Sequence, residues 1–387
     1  MSTDSAQYEY IDNDEQLQAL CDRLNTKPYI AIDTEFLRER TYRPQLCLVQ
    51  VKCEDILALV DALAIEDLTP LMTLLHNPDI VKVLHAASQD YEIFYLLSKG
   101  KVPTPLFDTQ LAAPLLGYNE QIGYGNLVKE HLKVELNKAH TRADWTRRPL
   151  PEKQIDYALE DVVYLEQLYT SMTKKLRELG RLDWLRAEFE PWESPKKYDQ
   201  PAGDRWLKIR NIQRYKGPAL ACIQALAEWR EIKARETNKP RNWLMKDDVL
   251  CSLAQQLPDS VDELSHIRGL DKKSMDRYGK ELVALITDAR QKTPLPAPEF
   301  VKKKKMTAIA LTRVALLNAW TTQKAAELNI NSGILAPPKL IEQCATGFAK
   351  DALQGWRKPL LLDDFQAIVG GSHAISVTDK GLQLVEL

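Results

Sequence analysis

The sequence lacks the cysteine pairs of a zinc site and has no long apolar run. Its six cysteines are scattered without a CxxC pair, which is typical of buried, reduced thiols: Cys21, Cys47, Cys53, Cys222, Cys251 and Cys344. No apolar stretch approaches the roughly 20 residues of a membrane-spanning helix, and the N-terminal MSTDSAQYEY is acidic and polar, unlike a secretory signal. These absences argue against a disulfide framework, a cysteine zinc site and a membrane span. They predict a cytoplasmic protein.

Length and charge distribution predict several domains with different tasks. A chain of 387 residues is long enough for two or three domains, each with its own core. Residues 1–194 carry 21 Lys and Arg against 32 Asp and Glu, whereas residues 205–292 carry 18 against 12 and residues 293–387 carry 11 against 8. An acidic unit followed by basic ones suits a metal-using catalytic domain whose neighbours hold a polyanion. Ordinary drift in surface charge would give the same counts.

The first half of the chain has the pattern of a sheet flanked by helices. YIAIDTEF, LCLVQV and ILALVDA are three closely spaced strand-like runs, which predict an antiparallel meander. Helix-like and strand-like stretches then alternate, with Ser88 and Asp108 placed as N-caps. A long helical tract begins near Pro151 and ends at Gly180. The order favours a mixed central sheet with helices on its faces.

The second half is mainly helical from Trp206 onward and contains a weak internal repeat. Four positions recur 91 residues later without a gap: Trp229 as Trp320, Asn238 as Asn329, Leu244 as Leu335 and Leu250 as Ile341. The repeat predicts two copies of a small helical module. A Pro-rich and charged segment over residues 191–204 would form a hinge before them, and the Pro- and Lys-rich segment 291–305 would connect them. Its four lysines, residues 302–305, are either simply solvated or tether RNA.

Two carboxylates near the end of the first strand-like run are the first chemical signal. Side chains alternate along a strand, so Asp33 and Glu35 stand on one face. A divalent cation with oxygen ligands would offset their repulsion. Alternatively, both carboxylates point into water at a strand end.

Two later segments add further carboxylates and a tyrosine. Asp90 follows an apolar strand and begins the next helix, where its carboxylate either projects over the end of the sheet or simply favours the helix dipole. Tyr157 and Asp161 are four residues apart and therefore share a helix face that adjoins apolar neighbours. Tyr157 taken alone has the pattern of an ordinary half-buried aromatic.

The order D-x-E, then D, then Y-x-x-x-D resembles the three motifs of the DEDD exonuclease superfamily, in its tyrosine-containing branch. The flanking segments TEFLRERTYRPQLCLVQ, FDTQLAA, TRADWTRRPL and YALEDVVYL resemble the ribonuclease D family, and the likeness covers essentially the whole chain. The segment from LAEWREIKARETNKPRNWL to KELVALI is similar to an HRDC domain, a helical nucleic-acid-binding module. The second copy lacks a recognisable IRGL…YG stretch, so packing against the catalytic domain is its alternative role.

The resemblance implies an α/β ribonuclease H-like exonuclease domain, with a mixed central sheet flanked by helices, followed by two all-α HRDC-type domains. The expected boundaries are the exonuclease domain at 1–194, a linker at 195–205, the first HRDC domain at 206–292, a Pro- and Lys-rich linker at 293–305 and a degenerate HRDC-like domain at 306–387.

The resemblance also implies a site that holds two divalent ions, Mg²⁺ or Mn²⁺, which suit an all-oxygen site. In the family pattern Asp33 bridges both ions, Glu35 and Asp161 complete the one on the nucleophile side, and Asp90 acts largely through water. Tyr157 hydrogen-bonds the attacking water. Because a phenol has a pKa near 10, we expect Tyr157 to orient that water and not to deprotonate it.

Four further residues are candidates for substrate contact. Arg142, Trp145 and Arg148 belong to a basic and aromatic loop suited to phosphate contact or base stacking, although Trp145 would equally serve as an anchor in the core. His85 either approaches the substrate or is a hydrogen-bonded structural histidine. Asp108 fits a helix cap better than a metal ligand.

The expected function is that of a monomeric 3′-5′ exoribonuclease that releases 5′-mononucleotides from structured RNA with short 3′ tails, such as tRNA precursors. A DNA exonuclease is one alternative, since no short motif encodes recognition of the 2′-hydroxyl. A binding protein that has lost catalysis is another, although all four carboxylates and the tyrosine are present.

Overall fold

The computed structural model of the chain describes residues 7–136, 143–296, 306–347 and 353–387. The chain divides into two compact units. The first is drawn from residues 1–35, 48–195 and 303–387, and the second from residues 36–47 and 196–302. Residues 36–47, from the first half of the chain, thus group with the first helical module.

A six-stranded sheet forms the centre of the first unit. Its strands are β1 (Glu9–Ile11), β2 (Tyr29–Leu37), β3 (Gln45–Cys53), β4 (Ile56–Val60), β5 (Val81–Leu84) and β6 (Leu106–Asp108). They lie in the order β1-β4-β3-β2-β5-β6. The β3–β4 pair is antiparallel, whereas β1–β4, β2–β5 and β5–β6 are parallel. The predicted mixed sheet is therefore confirmed, and β2, β3 and β4 are neighbours as a meander requires.

Helices flank this sheet, and the longest of them carries two candidate site residues, Tyr157 and Asp161. They are α1 (Asp14–Leu24), α2 (Thr69–Leu75), α3 (Ser88–Leu97), α4 (Thr109–Ala112), α5 (Tyr124–Leu127), α6 (Glu152–Glu178) and α7 (Leu185–Phe189). α6 begins after Pro151 and is followed by Gly180 at φ +65°, as the sequence predicts. It buries one stripe that includes Ala158, Val162 and Leu165, and this stripe fixes which face Tyr157 and Asp161 present.

The second unit is helical and has its own apolar core. Its helices are α8 (Gly217–Thr237), α9 (Arg241–Leu244), α10 (Asp247–Gln256), α11 (Val261–Leu264) and α12 (Lys272–Arg290), preceded by a 3-10 helix over Ala202–Lys208. Trp206, Leu226 and Leu253 are among the buried residues that pack together in this core.

The last segment repeats the start of that module. It contains α13 (Ala308–Leu328), α14 (Ser332–Leu335), α15 (Pro338–Thr346) and α16 (Lys358–Gly370), then the antiparallel hairpin of β7 (His373–Thr378) and β8 (Gly381–Glu386). α13 and α14 begin and end 91 residues after α8 and α9, so the predicted repeat is confirmed for these elements. α15 likewise begins 91 residues after α10, and the copies diverge later, where β7 corresponds to part of α12.

This repeated module packs on the sheet-containing region within the first unit. Trp356 stacks on Trp184 with ring centroids 4.5 Å apart and planes 3° apart, and the Arg181 guanidinium donates to the Leu328 carbonyl. The Asn331 amide donates to the Pro114 carbonyl at 2.8 Å. The structure therefore shows the alternative that the sequence offers for this segment, packing against the region expected to be catalytic.

Among the described residues, no helix is both long enough and apolar enough to cross a membrane.

Candidate active site

Three carboxylates from β2 and α6 converge on one point. Asp33 and Glu35 project from the same face of β2, and Asp161 approaches them from α6. Each offers a carboxylate oxygen, and these oxygens all lie within 4.8 Å of one another. All three side chains are half-buried, so water screens their repulsion only in part.

Burial and mutual repulsion disfavour ionisation of these carboxylates. Burial raises the pKa of Asp33 well above its ordinary range, and the charges of Asp161 and Asp90 raise it further. The pKa of Glu35 rises to about 8, first through burial and then through Asp161 and Asp90. Burial also raises the pKa of Asp161. The fully ionised cluster therefore calls for positive charge at neutral pH.

The donor set fits a hard divalent cation. Among the described residues, only oxygen ligands converge here, which suits Mg²⁺ or Mn²⁺ better than a metal that prefers nitrogen or sulfur. The resemblance to the DEDD exonucleases implies divalent ions as well. Asp33, Glu35 and Asp161 are the residues that would hold them.

When divalent ions are chelated, we expect the free energy of unfolding to fall as the pH rises, because of this cluster. The pKa of Glu35 is higher in the folded state, about 8, than its ordinary value of 4.5. Between these values the folded protein binds more protons than the unfolded one, so its free energy of unfolding falls as the pH rises. A cation that binds the ionised cluster should reverse the loss. In thermal melts at about pH 5.5 and pH 8, MgCl₂ should raise the Tm more at the higher pH, relative to EDTA.

Glu35→Gln supplies the matched control for this experiment. It removes one ionisable group from the cluster, so it should weaken both the pH dependence in EDTA and the stabilisation by Mg²⁺. Equal stabilisation by Mg²⁺ at both pH values in parent and variant would contradict a cation site at this cluster.

Asp90 lies beside the cluster but outside the set of three converging oxygens. It stands in the first turn of α3, where its carboxylate accepts a hydrogen bond from the hydroxyl of Thr34, the residue between Asp33 and Glu35. It is 7% exposed, and burial raises its pKa although the Thr34 hydrogen bond opposes the rise. Its charge is near enough to raise the pKa values of Asp33 and Glu35. Asp90 thus lies at the edge of the cluster, where it adds a fourth carboxylate to the candidate metal site.

Asp108 fixes the turn that carries Asp90. Its carboxylate caps α4 by accepting from the amides of Gln110 and Leu111, which confirms the predicted cap. The same carboxylate accepts from the amides of Ala86 at 3.0 Å and Ala87 at 2.9 Å, just before α3 begins. The prediction that Ser88 caps α3 is wrong, because Ala87 is the N-cap residue of this helix and makes no side-chain capping hydrogen bond. The Asp108 carboxylate, from the neighbouring strand, instead holds the turn that precedes the helix.

Tyr157 contacts the cluster directly. Its hydroxyl is hydrogen-bonded to the Asp161 carboxylate one helical turn away. Burial raises the pKa of this phenol far above 10, and the charges of Asp161, Glu35 and Asp33 raise it further. Tyr157 is therefore a neutral hydrogen-bonding group at physiological pH.

Trp145 packs beside Tyr157 and is 5% exposed. The two ring centroids lie 6.2 Å apart with planes tilted by 39°. A buried indole cannot offer its face to a substrate base, so the structure corrects the stacking prediction in favour of its alternative, an anchor for the loop. Arg142, from the same predicted loop, lies outside the described residues.

Arg148 is engaged by the protein itself, which corrects its assignment as a phosphate contact. Its guanidinium makes a two-point ion pair with Asp61, which is 3% exposed, and one of the two contacts measures 2.6 Å. It also donates to the Trp145 carbonyl at 2.9 Å. Burial would raise the pKa of Asp61, but the hydrogen bonds from Arg148 and Tyr10 outweigh it and lower that pKa. Arg148 holds the loop that carries Trp145.

Arg148→Ala is accordingly expected to affect stability more than RNA affinity. Removing one partner of a mostly buried ion pair leaves Asp61 uncompensated, which should cost about 3 kcal/mol of unfolding free energy. The Kd for RNA should stay within about twofold. Chemical denaturation and anisotropy titration measure the two quantities, with Arg147→Ala in the same loop as the control. A large rise in Kd without destabilisation would restore the phosphate-contact role.

His85 and Tyr124 form the side of the site next to α6. His85 Nδ1 lies 2.9 Å from the Thr109 hydroxyl, and burial lowers the pKa of the imidazole to about 4, so the ring is neutral. This favours the structural alternative for His85. The Tyr124 hydroxyl donates to the backbone carbonyl of Asp161, and the ring meets His85 edge-on at 5.5 Å. Sequence reasoning missed Tyr124, because its four-residue helix beside Gly123 has no amphipathic pattern to mark it.

Comparison with known families finds two matching regions. Residues 8–177 match the 3′-5′ exonuclease family model, and residues 219–286 match the HRDC domain. The HRDC assignment of the first helical module is confirmed, whereas that of the second copy stays a prediction.

Named relatives match over nearly the whole chain. Ribonuclease D of Sphingobium indicum is 39% identical over 383 residues, covering 97% of both chains, and that of Granulibacter bethesdensis is 37% identical over 97% of this chain and 96% of its own. The crystal structure of Escherichia coli RNase D, described as an exoribonuclease involved in structured RNA processing, superposes with a TM-score of 0.78. It shares 31% identity and covers 94% of this chain and 99% of its own.

Proposed function

The chain belongs to the ribonuclease D family of 3′-5′ exoribonucleases, and from that premise we propose that Asp33, Glu35, Asp90, Tyr157 and Asp161 form its hydrolytic site. The observation that carries the proposal is the convergence of three carboxylate oxygens within 4.8 Å of one another. The reaction is attack of water on the 3′-terminal phosphodiester bond, which releases a 5′-mononucleotide and leaves a new 3′-hydroxyl on the RNA.

In this proposal Asp33, Glu35 and Asp161 hold two divalent ions, Mg²⁺ or Mn²⁺, and Asp90 supports them from the edge of the cluster. Ions bound there would supply positive charge that acidifies the attacking water and offsets the charge on the phosphate and the leaving oxygen. The raised pKa values of the carboxylates support this role, because they reflect negative charge that the protein itself leaves uncompensated. Asp108 and Thr34 keep Asp90 in place through the contacts described above.

Tyr157 orients the attacking water through its hydroxyl. A neutral phenol whose pKa lies above 10 is a hydrogen-bonding group and not a base at neutral pH. Trp145 packs against the phenol ring, and Tyr124 bonds to the α6 backbone at Asp161. Together they restrict the direction in which Tyr157 and Asp161 point.

Structured RNA with a short 3′ tail, such as a tRNA precursor, is the proposed substrate. The Escherichia coli relative is described as acting in structured RNA processing. The first helical module carries the HRDC match and an excess of basic residues, 18 against 12 over residues 205–292, which favours a polyanionic partner. The second copy would be an HRDC-type module that has taken a packing role.

Matched oligonucleotides test substrate and product together. We expect the protein with Mg²⁺ to shorten an RNA with a 3′ tail and to release 5′-mononucleotides, identified by chromatography against 3′-mononucleotide standards. The DNA of the same sequence should be degraded at least about tenfold more slowly, a difference that a 2′-hydroxyl contact can supply. Equal rates on RNA and DNA, or release of 3′-mononucleotides, would contradict the proposal.

A further inference from the structure

The first unit contains a cavity of about 930 Å³ that is separate from the carboxylate cluster. It lies among the end of α1, the loop between β4 and α2, α2 itself and the end of α3. Its described lining includes none of the five proposed site residues. Small-molecule sites commonly enclose about 300–1,000 Å³. The cavity is therefore large enough for a small organic ligand.

One part of the lining is apolar. Ile65 and Met72 are buried there, whereas Leu97 is 41% exposed. A methionine thioether makes favourable contacts with aromatic rings, and aliphatic side chains cover an apolar ring surface without a directional requirement. This part of the lining suits a flat aromatic ring system.

Two polar atoms of the lining are buried without a partner. The His76 imidazole is hydrogen-bonded to the backbone of Val102, and its Nε2 has no partner among the described residues. The Ser98 Oγ is likewise buried and unpaired within the described part of the chain. Burial lowers the pKa of His76, and the charges of Lys101 and Lys82 lower it further, so the ring is neutral. A neutral imidazole that donates through Nδ1 offers Nε2 as an acceptor.

A ligand that satisfies both atoms has a mixed polar edge. It presents a hydrogen-bond donor to His76 and a donor or an acceptor to Ser98, which removes the cost of leaving buried polar atoms unpaired. The edge of a nucleobase carries donors and acceptors side by side. Both protein atoms are closed to bulk water, so contact with them requires rotation of side chains in the cavity wall. Leu97 and Lys99, on either side of Ser98 in the sequence, are exposed side chains that can rotate.

Charges of both signs stand among the exposed lining residues. Lys99 and Lys101 form no ion pair within the described part of the chain, and both line the cavity. Their ammonium groups are available to hold a phosphate. Glu66 is also exposed in the lining, and a carboxylate of this kind accepts hydrogen bonds from ribose hydroxyls in nucleotide sites. The lining thus offers a group for each part of a nucleotide.

We infer that this cavity binds a nucleoside 5′-monophosphate, with the base against Met72 and the phosphate held by Lys99 and Lys101. The inference rests on the proposed function for its choice of ligand, since 5′-mononucleotides are the product that the chain would release. The cavity lies at the end of α3, whose first turn carries Asp90. This helix has 10 residues and is therefore about 15 Å long, so a nucleotide bound here is distinct from one in the hydrolytic site.

Calorimetric titration of the full chain with adenosine 5′-monophosphate (AMP) in EDTA tests the inference, because chelation removes divalent ions from the hydrolytic site. We expect one AMP to bind per chain. Lys101→Gln should raise the Kd about tenfold, since it removes a charge-assisted hydrogen bond to the phosphate. Ser98→Ala should raise the Kd about fivefold through loss of a neutral hydrogen bond. Thr73→Trp, which fills the cavity from an exposed position on α2, should abolish binding.

Lys174→Gln is the matched control, because it removes an exposed lysine of α6 that does not line the cavity. Lys174→Gln and Asp33→Asn should both keep the parental Kd for AMP within about twofold. Loss of AMP binding in Asp33→Asn would assign the ligand to the hydrolytic site and overturn the inference.

Parental affinity in Thr73→Trp or Lys101→Gln would also overturn the inference, as would no binding of AMP by the parent. Equal affinity for inorganic phosphate and for AMP would overturn it in favour of a site for a free anion. Failure of the nuclease assay would leave the binding result intact, so the two proposals fail separately.

Discussion

Asp33→Asn is expected to lower the rate of RNA hydrolysis by about three orders of magnitude or more. Asp33 stands among the converging carboxylates, and its pKa responds to Asp161, Asp90 and Glu35 together, which marks it as the centre of the cluster. Loss of one anionic ligand weakens stabilisation worth several kcal/mol in the transition state, and each 1.4 kcal/mol corresponds to about tenfold in rate. Single-turnover rates on 5′-labelled RNA at saturating enzyme measure the effect.

Affinity for RNA provides the control for this variant. Because the substitution keeps the size of the side chain and alters only the carboxylate cluster, Asp33→Asn should bind a 5′-fluorescein-labelled 12-nucleotide oligo(A) RNA in EDTA within about threefold of the parent. Asp79→Asn, which alters an exposed carboxylate in the loop before β5, should keep the parental rate. A rate for Asp33→Asn within tenfold of the parent would mean that the cluster does not carry the hydrolysis.

Tyr157→Phe is expected to slow turnover by about two to three orders of magnitude while the protein keeps its metal affinity. The substitution removes only the hydroxyl that is hydrogen-bonded to Asp161, and it leaves the ring packed against Trp145. A positioned hydrogen-bonding group of this kind contributes about 10²- to 10⁴-fold. The measurements are the turnover rate at saturating Mn²⁺ and the Mn²⁺ affinity from titration of that rate or from calorimetry.

The pH–rate profile distinguishes orientation from proton abstraction by Tyr157. The pKa of the phenol is raised far above 10 by burial and by the neighbouring carboxylates, so no limb of the parental profile should reflect its ionisation. The variant should have the same profile at a lower level. A limb near neutral pH that disappears in Tyr157→Phe would identify the tyrosine as the base, and a large loss of Mn²⁺ affinity would make it a support for the metal site.

The carboxylate cluster was predictable because it follows from local periodicity. Alternation along β2 puts Asp33 and Glu35 on one face, and a spacing of four along α6 puts Tyr157 beside Asp161. Helix ends at Pro151 and Gly180 follow from backbone restrictions of those residues. The 91-residue repeat likewise predicted matching helices, since identical spacing reflects one module used twice.

The errors concern residues whose partners are distant in sequence. Arg148 looked available for phosphate until the fold brought Asp61, 87 positions earlier, to its guanidinium. The turn before α3 is held by Asp108 and not by Ser88. Residues 36–47 looked like a local connection, yet the Arg43 amide bonds to the Asn238 side chain at 3.0 Å. No short pattern encodes such contacts, because they depend on packing of the whole unit.

The most direct test of the account is the time course of a 5′-labelled single-stranded RNA with the purified protein, in Mg²⁺ and in EDTA. We expect a ladder that shortens one nucleotide at a time from the 3′ end, present with Mg²⁺ and absent with EDTA. A 3′-phosphate on the RNA should slow its first step, because the site is expected to receive a free 3′-hydroxyl end. An RNA that stays intact in Mg²⁺ while it binds, or a ladder unchanged in EDTA, would contradict a metal-dependent exonuclease site at Asp33, Glu35 and Asp161.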